Sequence, residues 1–64
     1  MNNPYESMFR DYPDVVTVEQ MSDMLGINSK TAYKLLRENT INHFKIGRLY
    51  KIPKYHILKY LEVM

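Results

Sequence analysis

A chain of 64 residues makes one domain, close to the lower size limit for folding without a staple, and the absence of cysteine excludes both a disulfide and a thiolate zinc site. His43 and His56 are the only imidazoles and stand apart from any ligand cluster, so neither a metal nor a cofactor is expected, and no apolar run is long enough for a transmembrane span or a signal peptide, which makes the cytoplasm the expected compartment. The net charge of +2 hides a division: residues 1–14 hold one arginine against three acids (net −2), whereas residues 15–64 hold eight Lys/Arg against four acids (net +4).

In chain order, Tyr5, Met8, Phe9 and Tyr12 fall at i, i+3, i+4 and i+7 and form one apolar helical face. Asn3 suits the cap of a short helix, Pro4 its first position, and Glu6 the position three past the cap. Residues 1–14 are therefore expected to be an arm or short helix preceding a domain over 15–64. Its apolar face either covers a small core or meets a partner or second copy.

Val15 and Val16 lead into a helix that Thr17 opens, with Gln20 completing a capping box. Val18, Met21 and Leu25 make its inner face with Ser22 beside them, while Glu19, Gln20 and Asp23 point outward. Gly26 is its stop, since the residue after a helix usually takes a left-handed backbone, and Ile27 folds back over Met21. Asn28 then caps a second helix running to about Asn39. Ala32, Leu35 and Leu36 lie on one side of it, and Lys30, Lys34 and Arg37 on the other, with Tyr33 at the border. The wet face is a basic stripe with no acid before Glu38, which suits a polyanion.

Ile41 returns to the core, and from His43 the period becomes two, predicting a β-hairpin around Gly47. A three-residue loop, Gly47 to Leu49, would pair Ile46 with Tyr50 and Phe44 with Ile52. All four would then lie inside as core rather than as a base-stacking platform, with Lys45 and Lys51 outside and Leu49 exposed at the tip. Pro53 closes the hairpin and opens a last helix. Ile57, Leu58 and Leu61 form its inner stripe, Tyr55, Tyr60 and Met64 flank it, and Lys54 and Lys59 are solvated.

Helix, Gly-containing turn, basic helix and hairpin give a mainly α fold with a small β-hairpin: a winged helix-turn-helix of three core helices plus a wing and the short N-terminal helix. Catalysis is not expected. There is no Gly-rich phosphate loop, no carboxylate pair beside an acid or base, and too little chain for a pocket or a small-molecule ligand.

TVEQMSDMLGINSKTAYKLLREN followed by FKIGRLYKIP resembles the excisionase-type helix-turn-helix family of small winged-helix DNA-binding proteins. That family is itself similar to the DNA-binding domain of mercury-resistance-type regulators. The resemblance runs from about Val15 to Leu61 and implies a recognition helix in the major groove of double-stranded DNA, with the wing on flanking backbone or minor groove. Carried over, Ser29, Lys30, Thr31, Tyr33 and Lys34 match the recognition helix, and Lys45, Arg48 and Lys51 match the wing. Arg37 joins them from the basic stripe.

Each of these residues has a plainer role open to it. The cations could line a solvated face, Thr31 could serve the cap of Asn28, and Tyr33 could rest against the wing. Leu49 stands where the family often has Arg or Lys, which implies weaker wing binding. No effector segment follows Leu61, which implies a stand-alone binder. The implied roles are recombination directionality factor at a mobile element, with a recombinase or integrase and further copies as partners, or small transcriptional regulator. The alternative is a protein-interaction module acting through the N-terminal apolar face or Leu49.

Overall fold

The computed structural model describes residues 7–63. Its elements are β1 (Val15–Val16), α1 (Val18–Leu25), α2 (Ser29–Arg37), β2 (Phe44–Ile46), β3 (Leu49–Pro53) and α3 (Lys54–Val63). The three strands form one antiparallel sheet in the order β1-β3-β2. The result is mostly helical with a small sheet, as a winged helix-turn-helix requires.

Local chemistry sets the helix ends. Thr17 accepts from the Gln20 amide at 3.1 Å while the Gln20 side chain accepts from the Thr17 amide at 2.9 Å, so the expected capping box is present. At the other end of α1, Gly26 takes a left-handed backbone with φ +67. The Gly26 amide donates to Asp23 O and the Ile27 amide to Ser22 O, the paired bonds of a Schellman ending. The end of α2 repeats the device with Asn39 at φ +57, the Asn39 amide donating to Leu36 O and the Thr40 amide to Leu35 O. Asn tolerates this conformation better than most side chains.

The core is a single cluster to which every element except β2 contributes. Met21, Leu36, Ile41, Ile52, Ile57 and Val16 are its largest fully buried side chains. Burial of each larger aliphatic here contributes about 1.5–3 kcal/mol. Ala32 and Leu36 are buried on α2 and Ile57 and Leu58 on α3, while Leu35 and Leu61 pack partly buried against them. On α1 the inner face is wider than expected, because Met24 is buried along with Val18, Met21 and Ser22 while Leu25 is only partly so. Ser22 satisfies its buried hydroxyl by donating to Val18 O at 2.8 Å.

Four features depart from the sequence reading. Val15 and Val16 are a strand: they pair with Pro53 and Ile52 of β3. Pro53 accordingly ends β3, and α3 begins at Lys54. Lys54 is half-buried instead of solvated, its Nζ donating to the carbonyls of Tyr12 at 3.0 Å and Phe9 at 3.3 Å.

The hairpin register is the fourth. Ile46 pairs with Leu49, Lys45 with Tyr50 and Phe44 with Lys51, so the loop is the two residues Gly47 and Arg48. Positive φ at Gly47 (+63) and not at Arg48 is the pattern of a type II′ turn, whose twist matches that of paired strands. Opposite residues share a face. Lys45, Tyr50, Ile52 and Val16 therefore face the helices, and Phe44, Ile46, Leu49 and Lys51 face away. Phe44 and Ile46 are 46% and 60% exposed and are not core. No layer covers that side of the wing, so no hydrophobic gain opposes the register the turn prefers.

Of the N-terminal apolar face, Phe9 is buried and Tyr12 packs on the core, their rings edge to face at 5.9 Å, while Met8 is exposed. Residues 7–8 are helical and the chain turns over 9–11. Asn3, Pro4, Tyr5 and Glu6, like Met64, lie outside the described residues.

Candidate nucleic-acid interface

The helix-turn-helix unit places its polar side chains by elementary means. Asn28 Oδ1 accepts from the Thr31 amide at 2.8 Å and starts α2 in a fixed direction after the Gly26 turn. Burial of Ala32 and Leu36 then turns Lys30, Tyr33, Lys34 and Arg37 outward, four residues at i, i+3, i+4 and i+7 on one exposed strip. Ser29 and Thr31 are exposed in the first turn.

The wing is held against this helix by rings. Tyr33 of α2 meets Tyr50 of β3 edge to face, centroids 5.8 Å apart and planes at 61°. His43 packs on Tyr50 at 5.1 Å, and Lys45 Nζ lies 4.9 Å from the same ring centroid. His43 Nδ1 is 2.9 Å from Ile41 O and, since a carbonyl only accepts, is the donor in that bond. Tyr50 is thus a hub joining α2, the loop before β2 and the wing. Alternation marks Tyr50 as a core residue, and the contact with Tyr33 matches the plainer role that the sequence leaves open for Tyr33, resting against the wing; the packing of His43 on the same ring has no sequence signal.

Between the two arms lies a cleft of about 390 Å³ lined by Ser29, Tyr33, Arg48 and Lys51, with Thr17, Val18, Glu19, Leu49 and Tyr50. It gathers residues of α2 and of the wing on one side of the molecule. Lys30, Thr31, Lys34 and Arg37 do not line it and occupy the exposed face of α2 beside it. Lys45 stands over Tyr50 on the helix-facing side of the wing, whereas Lys51, half-buried, is on the outward side. The two stem lysines, read from the sequence as sharing an outer face, are therefore on opposite faces. Glu19 adds one acid to the cleft, in the first turn of α1, where the helix dipole favours it. Thr31 is tied to the Asn28 cap through its amide, which leaves its hydroxyl on the surface.

No helix among the described residues is long and apolar enough to cross a membrane. A family model described as a helix-turn-helix domain matches residues 15–62, which spans every strand and helix from β1 to α3. No curated protein and no solved structure gives a significant match.

Proposed function

We propose that this chain, which belongs to the excisionase-type helix-turn-helix family of DNA-binding proteins, recognises a specific double-stranded sequence with α2 in the major groove and the wing on flanking backbone or minor groove. The observation that carries this reading is the Tyr33–Tyr50 contact. It holds the hairpin beside α2, so that the basic face of the helix lies next to a cleft lined by Arg48 and Lys51 of the wing. A major groove about 12 Å wide admits one helix, and an adjacent ribbon then meets the next stretch of backbone.

Within that arrangement Lys30, Lys34 and Arg37 reach base edges and phosphates, Lys and Arg suiting guanine O6 and N7. The Thr31 amide is occupied by Asn28, so the amides of Ser29 and Lys30, with the Ser29 and Thr31 hydroxyls, serve a phosphate at the helix start. Tyr33 contributes its hydroxyl to backbone or sugar while its ring stays on Tyr50. Lys45 and Lys51 add affinity through phosphates, and Arg48 enters the minor groove, where a narrow A·T-rich segment attracts it. One short recognition helix gives modest affinity, so repeated sites or neighbouring copies complete the binding unit.

Two roles use this surface: recombination directionality factor at a mobile-element end, acting with an integrase, or small transcriptional regulator. Linkage to an integrase gene separates them. A protein-interaction module without DNA binding is the second reading, favoured by the exposed Phe44, Ile46 and Leu49.

The test is fluorescence anisotropy against random-sequence duplex DNA at several salt concentrations. With four to six phosphates neutralised, log K falls with log salt at a slope of about −4 to −5. Reversing Lys30 and Lys34 to Glu lowers affinity by roughly a hundredfold or more, since two favourable charge contacts become repulsive. Indifference to that reversal, or no binding at low salt, selects the interaction module.

A further inference from the structure

We infer that the major-groove target of α2 is a short guanine-rich core, with Lys30 and Lys34 each seated on a guanine and Arg37 on a third. This rests on the DNA-binding reading above and deepens it from double-stranded DNA to a class of sequence. Lys30, Lys34 and Arg37 are exposed on the outward strip of α2, and no hydrogen bond or ion pair to another described residue engages them. Lys and Arg only donate, whereas reading cytosine takes an acceptor (Asp, Glu) and reading adenine a group that both donates and accepts (Asn, Gln). None of those four residue types lies within Ser29–Arg37. The nearest ones are engaged or placed elsewhere. Asn28 Oδ1 accepts from the Thr31 amide at 2.8 Å, and Gln20 Oε1 from the Thr17 amide at 2.9 Å. Glu38 is the C-cap, at the far end from the first turns with which such helices read bases. Glu19 lines the cleft, which the three cations do not.

A strip that only donates selects a base edge that only accepts. In the major groove guanine presents two neighbouring acceptors, N7 and O6. Adenine sets an N6 donor beside its N7, cytosine shows an N4 donor, and thymine has one acceptor next to a methyl. The Ser29 and Thr31 hydroxyls both donate and accept, so they add contacts without choosing a base. Tyr33 is drawn toward the wing by its ring on Tyr50 and leaves the strip to the cations. Spacing sets the length of the core. At about 1.5 Å per residue, Lys34 stands about 6 Å along the helix from Lys30 and Arg37 about 4.5 Å further, against about 3.4 Å per base step. The three cations therefore span about four base pairs, with the guanines of Lys30 and Lys34 about two steps apart.

The experiment uses the full chain to select duplexes from a random pool, then measures anisotropy on the selected duplex. Guanines are expected to be enriched at two or more positions within a stretch of about four base pairs. Replacing each in turn by 7-deazaguanine keeps the base pair and removes N7, and should weaken binding about three- to tenfold. Inosine at the same positions removes only the minor-groove amino group and should leave affinity within about twofold. Lys34→Gln should shift the preference at one position from guanine to adenine, whose N6 and N7 suit the Gln amide, and Lys30→Gln should do so at a second. Each should also lower the salt slope by about 1.

Both variants change exposed residues, and Gln is about as good a helix former as Lys, so circular dichroism and Tm should match the parent's. Lysines that met only phosphates would bind every sequence alike. The guanine core is therefore overturned if the two variants weaken all duplexes uniformly, or if 7-deazaguanine has no effect. A selected consensus without guanine, or no consensus beside salt-dependent binding, overturns it equally and leaves the DNA-binding reading standing. A flat anisotropy titration refutes DNA binding itself, and is distinguishable from the other outcomes because no complex forms.

Discussion

Strand β3 has two halves that live in different environments. Its Ile52–Pro53 end pairs with β1 and lies on the core, with Ile52 fully buried; its Leu49–Lys51 end pairs with β2, and there only Tyr50 packs toward the helices while Leu49, on the opposite face, is 63% exposed. The same five residues are thus packed scaffold at one end and largely exposed hairpin at the other. Where a second layer covers a strand, burial chooses which side chains turn in. Where none does, the turn chooses, and apolar side chains are left in water.

The largest stability effect expected from breaking this contrast is at the buried end. Ile52→Ala should cost about 3 kcal/mol in urea denaturation, near the whole stability of so small a domain, whereas Leu49→Ala should stay within about 0.5 kcal/mol. Similar costs at both sites would mean the two halves are one packed unit. Next comes the tie between the arm and α3. Lys54→Met keeps the aliphatic stem and removes the donor to Phe9 O and Tyr12 O, so it should cost about 1–2 kcal/mol and speed amide exchange at the Tyr12 amide, whose bond to Phe9 O closes the arm's turn.

A smaller effect sharpens the role of the turn. Gly47→Ala meets no atom within 4 Å, so its cost of about 1 kcal/mol comes from the φ of +63 alone, and Tm should fall by about 4–8 °C. Gly26→Ala, at φ +67 and equally open, should cost the same. A much larger loss at Gly26 would show that the α1–α2 turn is under a constraint the wing turn lacks. Smallest in stability is Arg48→Ala, with no measurable change in Tm but a loss of duplex affinity in anisotropy at fixed salt.

Much of the helix-turn-helix unit was legible from local rules. Thr17, Gln20, Gly26 and Asn28 each act within four residues of themselves, and so do the buried pairs of α2; such contacts leave a signature in sequence spacing. The family resemblance, likewise built on that spacing, covers the same stretch as the matching domain model. The hairpin register is not legible in the sequence, because alternation says which residues share a face but not which face is dry. The three-residue loop followed only from assuming that every apolar residue must be inside. Strand β1 was missed because two residues carry no period, and its partner is Ile52. Lys54 was read as solvated because its acceptors, Phe9 O and Tyr12 O, are backbone groups more than forty positions away. Of the candidate interface, the charged face of α2 followed from its helix, whereas the Tyr50 hub and the split of Lys45 from Lys51 depend on register and were not readable without it.

The pairing of Val16 with Ile52 also bears on the order of events during synthesis. As the chain leaves the ribosome, α1 and α2 can dock as soon as they are complete, since their contacts are short-range. Strand β1 waits, its edge unsatisfied, until the chain has emerged past β3. Strand β3 therefore locks β1 in place, closing a loop whose entropy must be overcome before any ladder bond rewards it. A ribosome stalled before Ile52 would hold α1 and α2 without the sheet that packs beside them.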